Sequence, residues 1–262
     1  MEPRSNLSLI GNAKLIERLL GPACDYLGQI ILQLTRKMCD NIGKIFRNAE
    51  HKIGDRINED GRVSPKALKS IIENGAWCEE DLQCEYFGGV LASARSSISR
   101  DDRGAYFSNM VAGLSSYQVR MHYLLYFEMN YLFKGTDYNI CESATRDKLE
   151  IFIPLDTFLV ALDFSEEETK RISELIPHIM FGLSSFGLIE NNFLYGPKES
   201  LLERYSRADS YGIIVQPSQQ GLELFMWAYG YGLETLSSFF SETIVFNPIN
   251  GINIGQAYST KI

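Results

Sequence analysis

Residues 79–97 have the sequence EEDLQCEYFGGVLASARSS, and the neighbouring helices must be arranged around this stretch. Apolar side chains recur in it every four residues, which predicts a helix with one buried stripe. Another side of the same helix carries only small residues, which lower helix propensity and therefore indicate a close crossing by a second helix. The stripe comprises Leu82, Tyr86, Val90 and Ala94, and the small side comprises Gly88, Gly89, Ala92 and Ala94.

A long amphipathic helix is predicted on the N-terminal side, over about residues 22–53. Its apolar positions step by three, four or one residue, as a single buried face requires. Gly21-Pro22 separates it from an earlier helical stripe that includes Leu15 and Leu19. The basic residues on its other faces suggest contact with a membrane surface or with nucleic acid. Interspersed acidic residues favour the alternative, a bundle helix with a solvated charged face.

Helix-start signals continue on the C-terminal side. Ser64-Pro65, Asp101-Asp102 and the capping box Ser115-x-x-Gln118 each predict a new helix. The helix from Ser115 to about residue 133 is rich in aromatic residues, which suggests either a stacking platform for ligands or core packing. Its spacing with leucines favours core packing. We place a module boundary in the loop 135–146, so that residues 1–135 form a helical bundle.

A different order of elements is predicted for residues 149–242. Short helices, a capping box at Ser165 and a Gly187-Leu188-Ile189 exit precede two β-like pieces at 189–195 and 211–216 and a last helix from 219 to about 240. This order is typical of a winged-helix module. An Asn/Gly-rich tail occupies residues 243–262. The predicted fold class is mainly α, an N-terminal multi-helix bundle followed by a smaller winged-helix-like module with a short β-hairpin.

Composition excludes general disorder, because 45% of the 262 residues are hydrophobic and 22% are charged. The formal net charge is −8. Residues 149–262 carry six basic and fourteen acidic residues, so this C-terminal part of the chain alone contributes −8. Affinity for nucleic acid depends mainly on basic residues that neutralise its phosphates. Because residues 149–262 are acidic, nucleic-acid binding is not favoured for this module.

The five cysteines are scattered and odd in number, and no secretory signal precedes them. They predict reduced thiols and a cytoplasmic protein. No apolar run reaches the length of a transmembrane helix.

Catalytic and ligand-binding motifs are not found. The sequence contains no cysteine or histidine pattern of a zinc site, no phosphate-binding glycine motif and no nucleophile elbow. Runs of carboxylates coincide with predicted helix starts, where the helix dipole accounts for them. His122 is a lone acid/base candidate, although a core histidine is favoured. We therefore predict no catalytic, cofactor-binding or metal-binding residues.

Several helical segments resemble the Abi-alpha family of bacterial abortive-infection proteins. The similarity covers roughly residues 10–130, with a looser match at Phe186-Gly187-Leu188-Ile189 and over residues 217–224. The resemblance implies a role in phage defence, in which an infected cell stops growing or dies before progeny emerge, and it implies no catalytic residues. It is carried by Gly21-Pro22, Val63-Ser64-Pro65-Lys66-Ala67-Leu68, Ile71-Ile72, Glu79-Glu80-Asp81-Leu82, Phe87-Gly88-Gly89-Val90-Leu91-Ala92-Ser93-Ala94, Tyr106-Phe107, Met110-Val111 and Leu114-Ser115.

The first functional hypothesis is a defence protein that acts through protein contacts as a sensor, effector or adaptor, without chemistry of its own. Its partner would be a protein or a phage component. Formation of a homo-oligomer is a further alternative. Aromatic residues near the C-terminus are the candidate partner-binding residues, because Trp and Tyr are favoured at binding hot spots. The alternative is that the last helix buries them. The candidates are Phe225, Trp227, Tyr229, Tyr231, Phe239 and Phe240.

The second hypothesis is a winged-helix DNA-binding transcriptional regulator. Against it, residues 177–187 offer only His178 and serines to a base edge. The wing loop carries Lys198, Arg204 and Arg207 opposed by Glu199, Glu203 and Asp209, a net charge of zero. A third hypothesis, an enzyme with an unrecognised site, has no residue set to support it.

Overall fold

The computed structural model describes residues 23–206, 208–249, 252 and 259–260. The predicted first helix, with Leu15 and Leu19, lies outside the described residues. The architecture is mainly helical with small antiparallel sheets, as predicted.

The N-terminal half is built from helices joined by short connections. Helix α1 extends without interruption to Ile53, in agreement with the long amphipathic helix predicted from the sequence. The element order is α1 Ala23–Ile53, a 3-10 turn Gly54–Asn58, β1 Arg62–Val63, α2 Pro65–Gly75, α3 Asp81–Ser93, β2 Arg95–Ser96, α4 Arg103–Gly113 and α5 Ser116–Phe133.

Helix starts follow the predicted capping residues. The Ser64 and Ser115 hydroxyls accept hydrogen bonds from the backbone N–H groups of Ala67 and Gln118, which satisfies donors that a helix start leaves unpaired. The Gln118 side chain returns a bond to the Ser115 N–H at 2.9 Å and completes the capping box.

Helix α3 passes between α1 and a C-terminal helix, and its glycines permit both contacts. A Cβ atom added at Gly88 would lie 2.5 Å from Asn48 Cβ on α1. A Cβ atom added at Gly89 would lie 1.7 Å from the backbone oxygen of Ala228. No real side chain tolerates such distances, so the predicted close crossing is confirmed and involves two partner helices. Helix α3 ends at Ser93, earlier than predicted, because Arg95–Ser96 pairs with β1.

The C-terminal half combines short helices with an antiparallel sheet. The sheet order is β4-β5-β3-β6. The predicted hairpin is formed by β4 and β5, whereas β3 was not predicted. The elements are α6 Ser143–Arg146, β3 Ile151–Pro154, α7 Leu155–Ala161, α8 Glu166–Lys170, α9 Ile172–Ser185, β4 Leu194–Gly196, α10 Lys198–Leu202, β5 Gly212–Val215, α11 Gln219–Ala228, a 3-10 turn Leu236–Ser238 and β6 Ser259–Thr260.

Strand β5 lies between β3 and β4, an order that agrees with the hairpin predicted from the sequence. Alternate residues on β3 and β5 face opposite sides of this sheet. Ile151 and Ile213 join the main core, whereas Phe152 and Ile214 join a second, smaller cluster. That cluster is completed by Leu201 of α10 and by Tyr205 and Ala208 after it. The connection between the two hairpin strands therefore covers the outer side of the sheet.

The main hydrophobic core runs continuously across the predicted boundary at residues 135–146. It includes Ile45 of α1, Ile179 of α9 and Phe246 of the tail. Helix α5 connects the two halves. Its Tyr126 hydroxyl donates to the Leu188 carbonyl at 2.7 Å and accepts from the Ser218 N–H at 3.0 Å. Most of the aromatic residues of α5 pack into the core, as the leucine spacing predicted, although Tyr131 is exposed.

The last helix is much shorter than predicted, because α11 ends at Ala228 and not near residue 240. Gly230 adopts a φ of +85°, the left-handed conformation that favours glycine. The Gly230 and Tyr231 N–H groups bond back to the carbonyls of Trp227 and Met226 at 3.1 and 2.9 Å. This pair of bonds is a Schellman motif, which turns the chain away from the helix axis.

The crossing at α3 gives the first prediction. Gly89→Ala is expected to lower the free energy of unfolding by about 3 kcal/mol or more, because the new methyl group meets backbone atoms of α11 that cannot move alone. Gly43→Ala on α1 is the control: among the described residues, the neighbour of its Cβ position is the flexible end of the Arg47 side chain, at 3.3 Å. The control should be neutral or stabilising by up to about 1 kcal/mol, since alanine favours a helix. Urea denaturation of both variants measures the difference, and equal effects would contradict the crossing.

Glu128 on α5 gives a prediction about pH. Burial raises the pKa of Glu128 to about 7. Between its ordinary pKa and this value, the folded state keeps a proton that the unfolded state releases, so stability falls as pH rises through that window. Glu128→Gln should therefore stabilise the protein by about 2 kcal/mol at pH 8 and have little effect near pH 4.5. Denaturation curves across this range test the prediction, with the exposed Glu234→Gln as control; a pH-independent effect of Glu128→Gln would contradict it.

Candidate binding surfaces

In the winged-helix module predicted from the sequence, α9 would be the recognition helix, and its exposed stripe is unlike a DNA-reading surface. The stripe consists of Glu174, His178, Phe181 and Ser185, spaced so that they share one face. Phe181 is 60% exposed at the centre of this stripe. The Ser115 hydroxyl and His178 Nε2 are hydrogen-bonded at 3.0 Å. The stripe therefore presents an aromatic ring and a carboxylate where basic side chains would meet DNA.

Aromatic rings extend this surface toward the hairpin. The Phe181 and Phe193 rings meet edge to face at a centroid distance of 5.1 Å, and Phe193 stacks on Tyr195 of β4 at 6.4 Å. We call Phe181, Phe193 and Tyr195 the aromatic patch. Leu194, between the last two, is paired with Ile214 and lies on the opposite side of the hairpin. Phe181 is exposed, and Phe193 and Tyr195 are half-buried beside it. A cluster of partly exposed aromatic side chains is typical of protein contact sites.

The wing loop offers few free cations to DNA. Arg204 forms an ion pair with the buried Glu150 and donates to the Asn192 side chain at 2.6 Å. Arg207 lies outside the described residues. Lys198 is exposed, but so are its neighbour Glu199 and the later Asp209.

The six aromatic residues proposed as partner anchors separate into two groups. Phe225, Trp227, Phe239 and Phe240 are buried in the core, which favours the alternative that the chain itself covers them. Trp227 is 1% exposed and stacks on Phe107 at a centroid distance of 4.4 Å. Tyr229 and Tyr231 are half-buried and line a cleft. The Schellman turn at Gly230 places these two tyrosines at the cleft. The predicted helix to about residue 240 did not anticipate this placement.

The cleft lies between α1, α3 and the segment after α11, and it has a volume of about 560 Å³. The Tyr229 and Tyr231 hydroxyls donate to the carbonyls of Asn247 and Val245, each at 3.0 Å. These bonds fix the tyrosine rings and the tail as one wall. Helix α1 forms the opposite wall with Lys44, Arg47, Asn48, His51 and Lys52.

Two ion pairs connect α1 to α3 at this cleft. Lys44 Nζ lies 2.5 Å from Asp81 Oδ1, and Lys52 pairs with Glu85. The hydrogen bond to Asp81 raises the pKa of Lys44, so this side chain stays charged. Within the part of the chain that the structure describes, no side-chain partner is seen for Arg47 or His51, which lie between the two pairs and are exposed.

A pair of thiols lies behind the cleft. Interaction between the two thiols, Cys78 and Cys84, raises the pKa of Cys78 and lowers the pKa of Cys84. Lys44 further lowers the pKa of Cys84. Both side chains are almost fully buried, and they pack as part of the core.

His122 is a core histidine, as favoured from the sequence. Its Nε2 lies 2.9 Å from the Gly221 carbonyl, which only accepts, so Nε2 carries the proton. Its Nδ1 accepts from the Tyr86 hydroxyl at 2.8 Å. Burial lowers the pKa of His122 to about 3, and the ring stays neutral near pH 7.

Among the residues that the structure describes, no group of three or more His, Cys, Asp or Glu side chains is placed to hold a metal ion. No described helix has the length and apolar character needed to cross a membrane.

Comparison with protein-family models, curated proteins and solved structures finds no match to this chain. Its relationship to the Abi-alpha family therefore stays a prediction from the quoted motifs.

The placement of the aromatic residues predicts different roles for the two tryptophans. Trp227→Ala should lower the free energy of unfolding by about 3–5 kcal/mol, because it removes a buried, stacked ring. Trp77, which is 60% exposed, is the matched control. Trp77→Ala should change that free energy by about 0.5 kcal/mol or less. Chemical denaturation followed by circular dichroism measures both changes. If Trp227→Ala leaves the free energy of unfolding unchanged, Trp227 again becomes a candidate partner-binding residue.

Proposed function

We propose that this chain is a bacterial anti-phage protein of the abortive-infection type that acts through protein contacts. The defence role rests on the resemblance of its helical segments to the Abi-alpha family. The mode of action rests on one structural observation, the aromatic patch on α9 and β4. Phe181 and Phe193 expose apolar area where a DNA-binding winged helix would present cations.

The charge of the surrounding module defines the partner's chemistry. Residues 149–262 carry a net charge of −8, and Glu174 lies on the same stripe as Phe181. A complementary protein surface would place an apolar side chain against Phe181 and basic residues around it. Nucleic acid, which is negatively charged, would be repelled by the same field.

Phe181→Asp tests this function. Cells that express the wild-type chain are expected to reduce the plating efficiency of at least one phage in a panel, and the variant should lose this protection. Tyr131→Asp is the matched control, because Tyr131 is 73% exposed on α5 and lies outside the patch. Both changes are at the surface, so each should alter the free energy of unfolding by about 0.5 kcal/mol or less. Full protection by Phe181→Asp would contradict a role for the patch, and no effect of the wild-type chain on any phage would contradict defence.

A DNA-binding regulator is the second candidate, favoured by the sheet order β4-β5-β3 of the C-terminal half. It would bind duplex DNA with an affinity that falls steeply as salt is raised. Retention of labelled duplex at low salt, lost at high salt, would replace the protein-contact proposal with this one.

A further inference from the structure

The cleft beside Tyr229 and Tyr231 is separate from the aromatic patch and has a different chemistry. One wall is cationic and the other carries aromatic rings and short apolar side chains. We propose that this cleft binds a small anionic aromatic molecule of the nucleoside phosphate class.

The cationic wall is a single face of α1. Lys44, Arg47 and His51 follow one another at intervals of three and four residues, so their side chains lie in one row about 10 Å long. The row faces a cleft in which Lys44, Arg47 and Lys52 outnumber Asp81 and Glu85. The local charge is therefore positive in a chain whose net charge is −8. Such a local excess attracts an anion to this place.

Within this row, Arg47 is the residue that points to an anion-binding site. Lys44 and Lys52 are paired with Asp81 and Glu85, so each of these cations already has an acidic partner. Arg47 stands between them, takes part in neither pair and is exposed. Its planar guanidinium can bind two oxygens of one phosphate side by side, which an ammonium group cannot do. His51, one turn further, adds a ring N–H donor.

The opposite wall suits a flat ring. Tyr229 is packed against Phe225 and Phe246 at centroid distances of 4.8 and 5.0 Å, and Tyr231 lies 5.4 Å from Phe246. Their hydroxyls are fixed to the tail carbonyls, so the rings are already ordered before a ligand arrives. Pro248 and Ile249 continue this wall. Tyr229 is also stacked on Tyr123, so the half-buried Tyr231 is the ring that would stack on a base. Stacking of this kind accepts any base.

The size of the cleft agrees with this class of ligand. A volume of about 560 Å³ falls within the range of about 300–1,000 Å³ typical of small-molecule sites. A base on the tyrosine side and a phosphate at Arg47 would use both walls at once. A bare phosphate would use only the cationic wall, and a nucleoside only the aromatic wall.

Isothermal titration calorimetry of the full chain tests the site. The probes are ADP, GDP, CDP and UDP, with adenosine and inorganic phosphate as partial ligands. At least one nucleoside diphosphate is expected to bind with one-to-one stoichiometry. Adenosine and phosphate should each bind at least tenfold more weakly. No saturable binding of any nucleotide would overturn the proposal, and equal affinity for phosphate alone would reduce the site to an anion site and overturn the aromatic component.

Variants locate the binding in the cleft. Arg47→Gln is expected to weaken nucleotide binding at least tenfold, and Tyr231→Ala to weaken it by a smaller factor. Arg100→Gln is the matched control, because Arg100 is exposed in a turn outside the cleft. Phe181→Asp should bind the nucleotide like the wild-type chain, so failure of this site and failure of the proposed function are distinguishable. Unchanged binding by Arg47→Gln would place the nucleotide elsewhere and contradict the assignment.

Discussion

The structure depends on the close approach of α3 to the helices on its two sides. At Gly88 and Gly89 the backbone of α3 touches α1 and α11 directly, and no side chain fits between them. The contact with α11 is reinforced by Ser93, whose hydroxyl donates to the Trp227 carbonyl at 2.9 Å and accepts from the Gly232 N–H at 3.0 Å. This seam brings two parts of the chain together that are more than 130 residues apart in sequence. Trp227 and Phe107 are buried beside it because the helices approach so closely.

The cleft is a consequence of the same seam. Because α11 ends next to α3, the Schellman turn at Gly230 directs Tyr229 and Tyr231 toward the polar face of α1. The tail then closes the wall through its carbonyls, and the Ile249 N–H donates to the Tyr123 hydroxyl at 3.0 Å. Backbone geometry thus brings a cationic helix face opposite a row of fixed aromatic rings, although neither feature is distinctive alone.

The C-terminal half combines the strand order β4-β5-β3-β6 with a surface that is poor in free cations. Arg204 is used in an internal ion pair, and Phe181 projects outward. A helix that exposes an aromatic ring in an acidic surrounding is suited to contact a protein and poorly suited to contact a phosphate backbone. The aromatic patch and the cleft are formed by different elements. A protein partner at the patch and a ligand in the cleft would therefore contact different side chains.

Local sequence signals were sufficient to predict the helices that begin at capping residues. The capping serines, the long amphipathic α1, the small-residue side of α3 and the hairpin were all predicted, because each depends on side chains within a few residues of one another. Strand β3 was missed because Ile151–Pro154 is too short to show an alternating pattern, and it is a strand only through pairing with β5. The end of α11 was missed although Gly230 is a helix-stop signal, since the aromatic residues after it suggested continuation. Which aromatic residues are buried was decided only by tertiary packing. The placement of Arg47 and Tyr231 in one cleft was decided in the same way, because that cleft forms only where α1 meets the segment after α11.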